Sequence, residues 1–299
     1  MPEAALPLTE QVNAATTDLD RLPPVEVVAA MARAERASVE AFERAAPAVA
    51  RVAEQAVAAL RQGGRIFFVG AGTSGRLGAL EAAECPPTFG SDPGLVRAIL
   101  AGGPAELAGA VEGAEDRGDD AVAAIRAAEV RAADLVVGVA ASGRTPFVRA
   151  ALGEARARGA RTALVSCDPA TAEEAPAPAD EVVILAVGPE VLTGSTRLKA
   201  GTATKMALNA ITTAAFVARG KVYGNLMVDV RATNRKLEAR ARRIVRTLCG
   251  GTEDEAAAAP AGARGEVKLA VVMRRLGVPL AEAERCLAAA DGCLRRVIG

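Results

Sequence analysis

Histidine is absent from all 299 residues of this chain, and that single absence removes several kinds of chemistry. No Ser-His-Asp or Cys-His catalytic unit can form, and no histidine can hold a metal. Acid–base work must fall on Glu, Asp, Lys, Tyr or Cys. Tryptophan is also missing and aromatic residues make up only 2% of the chain, which disfavours stacking platforms for single-stranded nucleic acid. Lys and Arg number 36 against 36 Asp and Glu, so no electrostatic footprint points to DNA, RNA or an anionic membrane. Neither nucleic acid nor membrane is an expected partner.

Five cysteines (Cys85, Cys167, Cys249, Cys286 and Cys293) form no CxxC pair and no zinc spacing, so no metal site is expected. The opening MPEAALPLTEQ has no basic region followed by an apolar stretch, and no export signal is expected. Apolar runs such as DLVVGVAAS at 134–142 are far too short to cross a bilayer. Scattered thiols without an export signal read as reduced cysteines, which places the chain in the cytoplasm.

What is present is an apolar half, 51% of the residues, enough to bury a sizeable core. Ala-rich sequence with charges at helical spacing fills about 25–60 and predicts one long or two shorter helices. The pattern then switches to short β-branched runs. Strands are predicted at Arg65–Gly70, Leu95–Ala101, Asp134–Ala141, Arg161–Asp168 and Glu181–Gly188. Helical segments are expected between them, roughly at 75–84, 104–131 and 146–158, and a longer helix at about 199–219. Such alternation argues for a parallel sheet wrapped by helices. Residues 250–266 read as a linker with a short turn of helix, and 266–299 as two amphipathic helices broken at Gly277-Val278-Pro279. The expected organisation is an N-terminal segment with packing helices at 1–60, an α/β domain at 61–240, and a small helical region at 241–299.

Ligands in open α/β sheets bind beyond the carboxyl ends of the strands. Three Gly/Ser/Thr-rich loops fall at strand ends or helix starts: 70–75 (GAGTSG), 141–146 (ASGRTP) and 193–197 (TGSTR). The first matches GxGxxG, but a dinucleotide site needs a carboxylate about 20 residues on, at the end of the second strand. That strand ends Ile99-Leu100-Ala101-Gly102-Gly103 instead. The better reading is a phosphomonoester held by helix N-termini and by Ser and Thr hydroxyls. The competing reading is that Ser142, Thr145 and Ser195 merely cap helices. The residues assigned to substrate are Thr73, Ser74, Ser142, Gly143, Thr145, Ser195, Thr196 and Lys199. Among carboxylates, Glu84 precedes Pro86-Pro87, where the helix is expected to stop, and Glu115 sits in the acidic run EGAED. By residue type alone each reads as a solvated surface acid.

At these residues the chain resembles the N-acetylmuramic acid 6-phosphate etherases. The resemblance runs through Thr9-Glu10, Asn13, Leu19-Asp20, and then 70–88 (GAGTSGRLGALEAAECPPT). It continues through 110–116, 140–146, 193–205 and 224–237, with Thr196 where relatives often carry Ser. The family resemblance implies the sugar isomerase (SIS) fold, a five-stranded parallel sheet between helical layers, followed by a small helical C-terminal region. It also implies a homodimer that needs no cofactor, and kinship with the glucokinase regulatory protein. The implied reaction cleaves the D-lactyl ether of the sugar phosphate, with Glu84 as proton donor and Glu115 as second catalytic carboxylate. Two carboxylates in opposite protonation states suffice for elimination from the open-chain aldehyde followed by addition of water. Ten helical residues from Ser74 to Glu84 span about 15 Å, so either the phosphate sits chiefly on the Ser142–Thr145 loop or, the favoured reading, a second subunit completes the active site. An aldose–ketose isomerase and a non-catalytic sugar-phosphate regulator are the alternatives on this fold.

Overall fold

The computed structural model describes residues 6–109, 111–230 and 234–299. Ala110 and 231–233, which fall in two of the runs quoted above, lie outside the described residues. The chain forms two compact units, one of Met1–Ala82 with Gly94–Thr212, the other of Ala83–Pro93 with Thr213–Gly299.

In the first unit, α1 (Pro24–Ala34) and α2 (Arg36–Arg61) precede the sheet. There follow β1 (Ile66–Gly70), α3 (Gly72–Phe89), β2 (Val96–Leu100), α4 (Gly118–Ala127) and β3 (Leu135–Val139). Next come α5 (Pro146–Ala157), β4 (Arg161–Ser166), β5 (Glu181–Ile184) and α6 (Lys199–Ala218). All five strands stand where the β-branched runs predict them. They pair in parallel in the order β2-β1-β3-β4-β5. Strands β1 and β3 are buried along their whole length, as strands covered on both faces must be.

Alternation of side chains along β1 assigns the layers. Phe67 and Val69 point into a cluster with Ala121 and Ile125 of α4 and with Val148, Ala151 and Leu152 of α5. Phe68 faces the other way, against α3, where a Cβ on Gly78 would stand 2.7 Å from its own. On that side α3 meets α6 through the buried Glu81 carboxylate, which accepts from Asn209 Nδ2 and Thr212 Oγ1. Helix α2 joins them by a bond from Ser38 Oγ to the Lys199 carbonyl at 3.1 Å. The result is a three-layer αβα unit.

Two local expectations change here. Residues 104–131 are not one helical stretch. Among the described residues of this range only Gly118–Ala127 is α-helical, after short 3-10 turns at Gly103–Leu107 and Ala114–Asp116. Gly102, Gly103 and Gly113 hold positive φ of 80°, 69° and 67°, which breaks the run. Helix α3 does not stop at Pro86-Pro87 but continues to Phe89. Prolines in a last turn forfeit few bonds, and burial of Phe89, stacked on Phe216 at 4.5 Å, holds that turn.

The second unit adds α7 (Arg235–Cys249), α8 (Glu253–Gly262), α9 (Val267–Leu276), α10 (Leu280–Ala289) and α11 (Leu294–Ile298) around their own core. The break at Gly277 is present, with φ 68° ending α9. The stretch read as a linker carries α8 because Thr252 and Glu255 form a capping box. The Glu255 N–H donates to Thr252 Oγ1, and the Thr252 N–H donates to Glu255 Oε2, each at 3.2 Å. No described helix is long and apolar enough to cross a membrane.

Candidate active site

The register of the sheet brings the first two loops together. Gly70 at the end of β1 pairs with Val139 at the end of β3, so the chain leaves both strands at the same level. In a 2-1-3-4-5 sheet this is where the winding direction reverses, and the loops on either side diverge to open a crevice. A cavity of about 350 Å³ lies there. Its walls include Thr73 and Ser74 from the start of α3, Ser142 and Thr145 from the β3–α5 loop, Thr196 from the third loop, and Glu115. Six of the sequence-assigned residues therefore converge on one space, though they span more than a hundred positions of chain.

The floor is backbone. Gly75 donates to the Ala71 carbonyl at 3.2 Å, which makes Gly72, Thr73 and Ser74 the first helical residues, with N–H groups unused inside the helix. Gly70 and Gly75 allow the tight turn. A Cβ on Gly70 would lie 2.6 Å from Gly75 N, and one on Gly75 would lie 2.6 Å from Gly70 O. Thr145 precedes α5, but its side chain makes no capping bond, so its hydroxyl is not consumed as a cap. Ser142 Oγ accepts only weakly from Arg144 N, at 3.2 Å. Hydroxyls, free amides and a helix N-terminus around one cavity are the kinds of group that hold anions in proteins. The charged side chains in its lining are Glu10 and Glu115, and no Lys or Arg belongs to it.

The other assigned residues stand elsewhere. The Gly143 N–H is used by the Ala140 carbonyl at 2.8 Å, and a Cβ there would meet Thr171 Oγ1 at 2.2 Å, so Gly143 shapes the loop. Ser195 adjoins the cavity through Thr196, and its N–H bonds the Leu192 carbonyl. Lys199 is buried, with its ammonium donating to the Val187 and Pro189 carbonyls at 2.8 Å each. Burial pulls its pKa below the usual lysine value. Burial likewise pushes up that of Glu190, which accepts the Lys199 and Ala200 amides at the start of α6. Glu84 is exposed on α3, in the segment Ala83–Pro93 of the second unit. Thiol chemistry has no candidate in the sheet: burial pushes the Cys167 thiol up to about 12, and it stays protonated at neutral pH.

Glu115 rides on a loop tethered to α3. The buried Glu106 accepts from Arg76 Nη2 at 2.9 Å and from the Val111 amide at 2.7 Å, while Arg76 Nε donates to the Glu106 carbonyl at 2.8 Å. Replacing Glu106 with Ala strands the Arg76 guanidinium and frees the loop. The expected cost is about 2–3 kcal/mol, below that of a fully buried pair because Arg76 is partly solvated. A lowered thermal midpoint and a loss of activity that conservative Glu106→Gln partly restores would show it. Thr9 and Glu10, where the family resemblance begins, also line the cavity; composition and spacing assign them no role there, and the fold brings the N-terminal turn to the strand ends.

Residues 48–156 match the glucokinase regulatory protein N-terminal SIS domain. The chain is 47% identical to the N-acetylmuramic acid 6-phosphate etherase of Geobacillus thermodenitrificans over 290 residues, 97% of this chain and 98% of that one. It is 48% identical to the protein of the same name from Gloeobacter violaceus over 295 residues, covering 98% and 95% of the two chains. Identity at this level, sustained over nearly the full length of both chains, leaves one assignment: the chain belongs to the N-acetylmuramic acid 6-phosphate etherase family.

Proposed function

We propose that the protein cleaves the D-lactyl ether of N-acetylmuramic acid 6-phosphate, yielding N-acetylglucosamine 6-phosphate and D-lactate in amino sugar catabolism. The observation that carries this reading is the cavity at the β1/β3 crevice, where six Ser and Thr side chains sit with the Glu115 carboxylate. Thr73, Ser74, Ser142, Thr145 and Thr196 supply the donors for a phosphate, and the N-terminus of α3 supplies a favourable dipole.

The ether at C3 is a poor leaving group for direct displacement. In the open-chain aldehyde, however, the carbonyl acidifies the C2 proton, and lactate lies β to it. Glu115 takes the C2 proton, the C3–O bond breaks, and Glu84 protonates the departing lactate oxygen. Water then adds at C3 of the unsaturated aldehyde, with its proton going to Glu84, and a proton returns to C2. One water is consumed and both carboxylates regain their starting states. The roles of Glu84 and Glu115 rest on the family match. We place the enzyme in the cytoplasm as a homodimer in which Glu84 of one protomer serves the cavity of its partner, supported by the rise of α3 between Ser74 and Glu84.

Incubation with N-acetylmuramic acid 6-phosphate and an assay for D-lactate tests the activity; no lactate above background would reject it. The phosphate is required: the unphosphorylated sugar should be a very poor substrate. Ser142→Ala should raise KM with little change in kcat, by about 1.5–3 kcal/mol for one hydrogen bond to a charged group. Equal turnover of sugar and sugar phosphate would remove the phosphate site.

A further inference from the structure

The cavity has a wall that the reaction as written does not use. It is the N-terminal turn Leu8–Glu10, which the fold ties to the segment before α6. The Gly194 N–H donates to the Thr9 carbonyl at 3.1 Å, Asn13 Nδ2 to the Pro189 carbonyl at 3.2 Å, and Thr16 Oγ1 to the Val191 carbonyl at 2.8 Å. The Glu10 carboxylate lies over the same loop, where a Cβ on Gly194 would come 2.9 Å from its Oε2. One anchor on the turn and two on the residues just after it hold this stretch against the segment before α6.

Within this wall Thr9 is fully buried, at 0% exposure, and lines the cavity. Its Oγ1 has no hydrogen-bond partner among the described residues. Buried hydroxyls almost always have one. A hydroxyl carries one donor and two acceptor positions, so here a donor and an acceptor go unused at the wall of a ligand-sized space. Beside it, Glu10 contributes acceptors only, with a negative charge. That charge disfavours the phosphate and the lactyl carboxylate at this wall and favours a neutral group that both donates and accepts.

We propose that Thr9 and Glu10 form the subsite for the acetamido group of the sugar phosphate. The Thr9 hydroxyl donates to the amide carbonyl, and the Glu10 carboxylate accepts from the amide N–H. Among the substituents of this substrate, the acetamido group alone offers one fixed donor beside one fixed acceptor of matching kind. The inference rests on the etherase reading, but it concerns specificity rather than chemistry: the pair selects 2-acetamido sugars over their 2-hydroxy counterparts.

Calorimetric titration of the full-length protein with N-acetylglucosamine 6-phosphate, glucose 6-phosphate and inorganic phosphate tests it. In Thr9→Val, which keeps the shape and removes the hydroxyl, the Kd for the acetylated sugar should rise at least about tenfold, while the other two change less than about threefold. Thr9→Ser should return the acetylated sugar to near wild-type affinity. The empty Thr9→Val protein should unfold at the same temperature as wild type or higher, because its lost hydroxyl had no partner to lose. Equal weakening of all three ligands would assign Thr9 to the phosphate or to folding, and unchanged affinity for the acetylated sugar would leave its hydroxyl idle; either overturns the proposal. Wild-type protein that binds glucose 6-phosphate but not the acetylated sugar, and releases no lactate, would instead reject the etherase reading on which the proposal stands.

Discussion

In deuterium oxide, the N-acetylglucosamine 6-phosphate formed will carry deuterium at C2, and oxygen from labelled water will be found at C3 of the sugar and not in the lactate. The expectation is all-or-none, because the two routes break different bonds. Elimination removes the C2 hydrogen and cleaves the bond between C3 and oxygen, so lactate leaves with the ether oxygen. Displacement at the lactyl carbon would cleave the other bond, send the label into lactate and leave C2 untouched. The physical ground is the barrier. An unactivated ether resists direct attack, whereas the aldehyde turns the problem into proton transfer, which positioned carboxylates perform well. Mass spectrometry of both products reads the result, and hydrogen at C2 with label in lactate would overturn the mechanism.

Glu84→Ala should reduce lactate release by about a hundred- to ten-thousand-fold, the usual contribution of a positioned acid or base. Binding should change much less, since the phosphate contacts come from other residues. The two carboxylates are separable by what each variant retains. With Glu115 intact, Glu84→Ala can still exchange the C2 hydrogen of the substrate with solvent deuterium. Glu115→Gln should lose both exchange and lactate release. Near-normal lactate release from Glu84→Ala would take that residue out of the reaction, and exchange surviving in Glu115→Gln would move the C2 base elsewhere. If subunits share the site, mixing the two inactive variants should restore part of the activity through heterodimers.

Much of the fold was legible in the sequence because its strands are buried on both faces. Runs such as IFFVG and LVVGV admit few other readings when they alternate with Ala-rich segments. The crevice was legible for the same reason, since hydroxyl-rich loops at strand ends have a known place in such sheets. What escaped was set by terms that a linear pattern does not weigh. Two prolines stay within α3 because tertiary burial of Phe89 offsets their missing bonds. The capping box at Thr252 outweighs the Gly250-Gly251 pair just before it, so α8 forms where composition suggests a linker. Lys199 carries the charge expected of a phosphate ligand, yet the Val187 and Pro189 carbonyls claim its ammonium. Thr9 shows the converse. Its part in the cavity depends on contacts with residues about 180 positions away, and no local signal encodes them.

The paired glycines at 70 and 75 have an evolutionary consequence. Each occupies the volume that a side chain on the other side of the turn would need, with clashes of 2.6 Å in both directions and against backbone. Flexible neighbours cannot absorb such a clash, so neither position can drift first and wait for the other to compensate. The route by which most protein sites wander, one tolerated change opening the way to the next, is closed here at its first step. Lineages that diverge in substrate must therefore do so on the opposite walls, in the N-terminal turn and the loops around Thr145 and Thr196, while the β1–α3 turn that forms the floor stays as it is.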